Sequence, residues 1–201
     1  LRVAAVLAVP AALVLVAVAL DVVRVPGELE SDDVSFEATP RRQTRLWSEL
    51  GYLPGRPGAR LLGVDDDLAY RRTLAIWVRV PPGTPIYGPE LENLRGRLQS
   101  QLAETSAEDS NPTRRSHLLN LLGALSLELR SIDPNESENA LRKAINTFRS
   151  AIDLDASNQD AKINLELALR NAKAVNLPGT DPDAGAAQGS LSGQGRAGSG
   201  Y

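Results

Sequence analysis

The chain has 201 residues, with 22 Lys and Arg against 25 Asp and Glu, one His, and neither Cys nor Met. That length fits one modest domain with appendages, and a net charge of −3 supplies no general attraction to nucleic acid. The lack of Cys excludes disulfides, thiolate metal sites, a cysteine nucleophile and a lipidated cysteine anchor, and the lack of Met sets the expected start of the protein upstream of Leu1.

Residues 3–20, VAAVLAVPAALVLVAVAL, carry no charge and no hydrogen-bonding side chain. As a helix they would rise about 27 Å, close to a bilayer's hydrocarbon thickness. Lipid-embedded helices tolerate a proline such as Pro10, and Arg2 and Asp21 close the two ends. The run predicts a transmembrane anchor over residues 1–23. The competing reading is a cleavable signal peptide ending at the small-x-small triplet Ala17-Val18-Ala19. Arg2 on one side and Arg24 on the other leave the orientation open.

Residues 24–64 read as an irregular juxtamembrane segment docking on a helical body. Prolines at 26, 40, 54 and 57 and glycines at 51, 55, 58 and 63 break long elements. Trp47, Leu50, Tyr52 and Leu53 are the expected apolar plugs. Arg41, Arg42 and Arg45, beside Trp47, suit lipid headgroups or an acidic partner, against the plainer reading of a solvated run.

Residues 65–177 are expected to be an α-helical domain of five helices. Asp65-Asp66-Asp67 opens the first, where carboxylates favour the positive helix N-terminus, and Pro81-Pro82 ends it. Gly88-Pro89-Glu90 opens the second, with a stripe of Leu91, Leu94, Leu98 and Leu102. Asn111-Pro112 and Asp133-Pro134 open the third and fourth. Ser157 or Asn158 caps the fifth, which runs to about Ala174. No stretch alternates at period two, so no sheet is predicted. Residues 178–201 form a Gly/Ser/Ala-rich tail, expected to be disordered because it has too little apolar surface to offset ordering.

Self-comparison is the most specific signal. Asn120-Leu121-Leu122-Gly123-Ala124-Leu125 returns 44 residues later as Asn164-Leu165-Glu166-Leu167-Ala168-Leu169, and Ala144, Phe148, Ala151 and Ala156 lie between at offsets of 4, 3 and 5. Residues 113–174 thereby resemble a tetratricopeptide unit plus the first helix of a second. The small residues would let paired helices approach while Phe148 fills the gap. Glu166 replaces the expected Gly, Ala156 the usual Pro, and the long period implies about ten inserted residues, so a helical pair is expected and a regular superhelix is not. An ordinary amphipathic bundle is the alternative.

Over nearly its whole length the chain resembles an uncharacterised family of actinobacterial membrane proteins. The likeness is carried by the N-terminal span, VPGELESDDVSFEATPRRQTRLW, LLGVDDDLAYRRTL, LENLRGR, LLNLLGALSLEL, FRSAIDLDASNQDAKINLELALR and the tail ending GSGY. That family's genes neighbour those for MoxR-type AAA+ ATPases and proteins with von Willebrand factor A domains. The resemblance implies a single-pass cell-membrane protein with its soluble domain outside the cytoplasm, partnering such proteins in complex assembly. It implies no catalytic residues.

The chemical motifs are weak. Gly193-Gln194-Gly195-Arg196-Ala197-Gly198 matches the dinucleotide G-x-G-x-x-G, but it lies in the tail rather than between a strand and a helix. Asp65 to Asp67 lack the alternating ligands, glycine turn and distal Glu of a cation loop. A single His117 gives no His-based zinc site. The expectation is an all-α, non-enzymatic adaptor or scaffold without cofactor, metal, nucleic acid or small-molecule substrate. Its protein-binding residues would be Asn120 and Asn164, able to donate to and accept from a peptide backbone, with His117, Lys162 and Arg170 to meet a carboxylate. The alternatives are a structural envelope protein without a peptide groove and an envelope hydrolase using Asp65 to Asp67 with Glu90.

Overall fold

A computed structural model describes residues 2–41, 46–47, 53, 55, 57–83, 85, 88–128, 134–175 and 177, with backbone alone for 2–11 and 134. Among the described residues there are seven helices and no strand: α1 (Arg2–Ala38), α2 (Pro57–Leu61), α3 (Asp65–Trp77), α4 (Pro89–Glu108), α5 (Pro112–Glu128), α6 (Pro134–Leu154) and α7 (Gln159–Ala174). The all-α class is as expected. The plugs Leu50 and Tyr52, the arginines 42 and 45, and the tail with its G-x-G-x-x-G motif lie outside the described residues.

α1 departs from expectation. Residues 24–38, read from sequence as irregular, continue the helix through Pro26 and Gly27. An interior proline costs a helix about 3 kcal/mol. Val25, Leu29 and Phe36 recur at helical spacing and pack into one core with Trp47, Ala59 and Leu68. Burying side chains of this size is worth about 1.5–3 kcal/mol each when complete, so the packed face outweighs the proline. Carboxylates on the same stretch tie down the chain that follows. Trp47 donates its backbone N–H to Asp32 (2.6 Å) and its indole N–H to Asp33 (3.0 Å), and Leu53 N–H points at Asp21 (3.4 Å). Asp21 itself is fully buried, because Gly58 of α2 lies against its backbone.

Among the described residues no helix is long and apolar enough to cross a membrane. The uncharged run 3–20 is only half inside that set, since the side chains of 3–11 fall outside it. In the other half Leu13, Val14, Leu15, Val16 and Leu20 are each more than half exposed.

From α3 onward each helix packs on the next, and α5 also touches α7. Leu98 and Leu102 of the α4 stripe are fully buried with Val80, Leu118, Leu121, Leu122 and Leu125 in a second core. A third core holds Leu141, Ala144, Ile145 and Phe148 of α6 against Ala168 and Ala172 of α7. Gly88, at φ +89°, turns the chain into Pro89 at the head of α4. Asn111 caps α5 by accepting from the N–H groups of Thr113 and Arg114, and Asn158 caps α7 by accepting from Ala161 N–H at 3.0 Å. Of the two caps allowed by the sequence for α7, Asn158 is the one used.

Candidate functional site

The seam between α5 and α7 is polar and stepped by helical turns. Ser116 Oγ donates to the Ala151 carbonyl in the last turn of α6 (2.7 Å) and accepts from Asn158 Nδ2 (2.8 Å). One turn further along α5, Asn164 Nδ2 donates to Asn120 Oδ1 at 2.9 Å. The two asparagines that the repeat sets 44 residues apart are therefore bonded to each other. Asn120 is 4% exposed and faces α7, while Asn164 is half-buried. A buried amide left unpaired would cost about 1–3 kcal/mol, so the pair locks the register of α5 on α7.

His117 stands between these rungs, half-buried, with Nδ1 2.5 Å from the Tyr70 hydroxyl of α3. Burial holds its pKa below the ordinary imidazole value, and the Asp160 carboxylate on α7 pulls part of the way back. Burial likewise raises the Tyr70 pKa. His117 thus joins α3 to the α5–α7 seam.

Lys162 and Arg170 lie outside this seam. Both are exposed on α7, where Arg170 pairs with Glu166 one turn back (2.5 Å). Between them Ile163 and Leu167 are 63% and 50% exposed, an apolar strip that no other described helix covers. The binding residues expected from the sequence are all polar and do not include this strip. Its signal is the i, i+4 spacing of two large apolar residues framed by charges, on a helix whose alanines take the buried face.

The acids of the hydrolase alternative do not share a cleft. Asp66 accepts from the backbone and hydroxyl of Ser110, at the far end of α4 from Glu90. The α4 helix between them is about 30 Å long. Those Ser110 hydrogen bonds hold the Asp66 pKa below the usual carboxylate value. Asp67 pairs with Arg71 at 2.8 Å, and Arg114 lies 3.7 Å away. The acidic triplet occupies the first turn of α3 as expected, but no side chain caps that helix; Asp66 and Asp67 bridge outward instead. Among the described residues no group of three or more His, Asp and Glu is placed to hold a metal ion.

No family model, no curated protein and no solved structure matches this chain.

Proposed function

We propose that this chain is a membrane-anchored, non-enzymatic adaptor that docks protein partners on the exposed face of α7. Residues 3–20 would be the anchor, a reading supported by their uncharged sequence and by the exposure of the described part of that run. The observation that carries the proposal is the strip of Ile163 and Leu167, which no other described helix covers and which Lys162 and Arg170 flank. A stack of paired, tetratricopeptide-like helices buries each helix against its neighbours, and the Ile163 and Leu167 face of α7 has no such neighbour among the described helices. The binding role shifts there from Asn120, which is spent on Asn164 inside the stack. Tethering to a bilayer would raise the effective concentration of the face for other membrane proteins. Partners of the kind implied by the sequence resemblance, a MoxR-type ATPase or a protein with a von Willebrand factor A domain, are the ones to test.

In a pull-down from membranes, the wild-type chain should retain such a partner encoded beside it, and Leu167→Asp with Lys162→Glu should lose it. Retention by that double variant refutes the α7 face. The Asn120–Asn164 bond favours a second reading, a structural protein whose polar repeat positions serve only its own packing. Complete absence of partner binding by the wild-type chain would support it.

A further inference from the structure

A pocket of about 310 Å³ opens between the C-terminal end of α1 and the outer side of α3. Phe36, Trp47, Tyr70 and Leu74 give it aromatic and aliphatic walls, and Asp33, Glu37, Asp67 and Arg71 give it charge. Arg71 spans the site by pairing with Asp33 of α1 and with Asp67 of α3. Burial works against that guanidinium, but the two carboxylate hydrogen bonds outweigh it and hold the proton on more tightly than usual. With Arg114 also 3.7 Å from Asp67, three carboxylates face two guanidiniums, and Glu37 is the carboxylate left over. Asp33 is already shared with the Trp47 indole, whereas Glu37 is exposed and engaged by no hydrogen bond or ion pair among the described residues.

Two physical terms select what such a pocket takes. The excess of carboxylate repels anions and draws cations, and electron-rich rings attract a cation within about 6 Å, more strongly where water is excluded. The volume sits at the small end of ligand pockets, enough for one long side chain and too little for a helix. A planar guanidinium meets both demands, because it stacks on rings and forks onto carboxylates, whereas an ammonium keeps its water more tightly.

We propose that this pocket seats the guanidinium of an arginine side chain supplied by a partner polypeptide. It rests on the adaptor reading only for the source of that arginine, since the pocket lies on α1 and α3 and shares no residue with the α7 strip.

The test uses the full chain in detergent with Trp77→Phe, which leaves Trp47 in the pocket wall as the one tryptophan of the two in the sequence. Acetyl-arginine amide should shift Trp47 emission saturably, and the neutral isostere acetyl-citrulline amide should not. Glu37→Gln, at an exposed position with no hydrogen-bond or ion-pair partner among the described residues, should weaken the arginine response at least fivefold, and added salt should weaken it in parallel. An equal response to citrulline, or an unchanged response in Glu37→Gln, overturns the proposal. A response that appears only after Arg42→Gln and Arg45→Gln also overturns it, because the chain's own arginines would then fill the pocket. Because the α7 variants are read by pull-down and the pocket by fluorescence, failure of one leaves the other standing.

Discussion

His117 is the only histidine, so its ring protons report on the seam of α3, α5 and α7 without assignment by mutation. Burial places its folded pKa below the unfolded value of 6.5. The unfolded chain therefore binds the proton more readily. Stability from this group is complete above pH 6.5 and falls as pH drops from there toward the folded pKa. Asp66 and Asp155, held low by hydrogen bonds from Ser110 and Ser157, act in a separate window, where stability is lost as pH falls below their ordinary 3.8. An NMR titration of the imidazole should give a midpoint under 6.5, moving lower still in Asp160→Asn. A midpoint at or above 6.5 would contradict the burial argument. At this scale the sequence showed which residues recur but not where they point. Asn120 and Asn164 were legible as equivalent positions, yet equivalence does not say whether two side chains face solvent side by side or bond across an interface. Ser116 carried no signal, because it lies outside the repeated hexapeptide, and Asn158 was legible only as a helix cap, not as a donor to Ser116.

Helices were the most readable level, and glycine shows why some contacts between them were readable too. Gly123 of α5 faces the ring of Phe148 of α6 so closely that an added Cβ would sit 2.5 Å from its Cε1. Phe148 stood out in the sequence as the residue that fills a gap between helices, and in the structure the space it fills is the one left by Gly123. Gly123→Ala should cost about 1–3 kcal/mol through overpacking, despite alanine's better helix propensity. Equilibrium urea unfolding would show it, and a gain in stability would mean the α5–α6 gap is looser than described. The caps of α4, α5 and α7 were legible for a related reason: Pro89, Asn111 and Asn158 act locally. The second half of α1 was not. Its stripe of Val25, Leu29 and Phe36 is present in the sequence, but Pro26-Gly27 is a strong local break, and only packing against Trp47, Ala59 and Leu68 reverses it. Local rules misled where the deciding partners were distant in the chain.

At the scale of the molecule, three cores follow one another, joined by shared helices rather than merged. α3 contributes Leu68 to the first core and Tyr70 and Leu74 to the second; α5 contributes Leu118 to Leu125 to the second and Ala124 and Leu127 to the third. Such an arrangement loosens piecewise. An added Cβ at Gly58 would sit 2.8 Å from the backbone and Cβ of Asp21. Gly58→Ala should therefore open the first core alone. Hydrogen exchange should speed up at 57–61 and 46–47 and stay unchanged across 141–172, and uniform acceleration would mean the three cores unfold as one. The same serial construction explains where the candidate sites fall: the pocket lies at the α1–α3 junction, which no spacing within a single helix shows, and the strip lies on α7, the last of the described helices, where the i, i+4 spacing does show it.

The unbroken run of α1 through residue 21 has a mechanical consequence. Helix continues on both sides of Asp21, and that same residue is clamped by Gly58 and reached by Leu53. No swivel separates the apolar half of α1 from the half that carries the first core. Whatever sets the tilt and rotation of α1 ahead of Asp21 sets the heading of the first core as well, as a shaft sets the heading of the blade fixed to it.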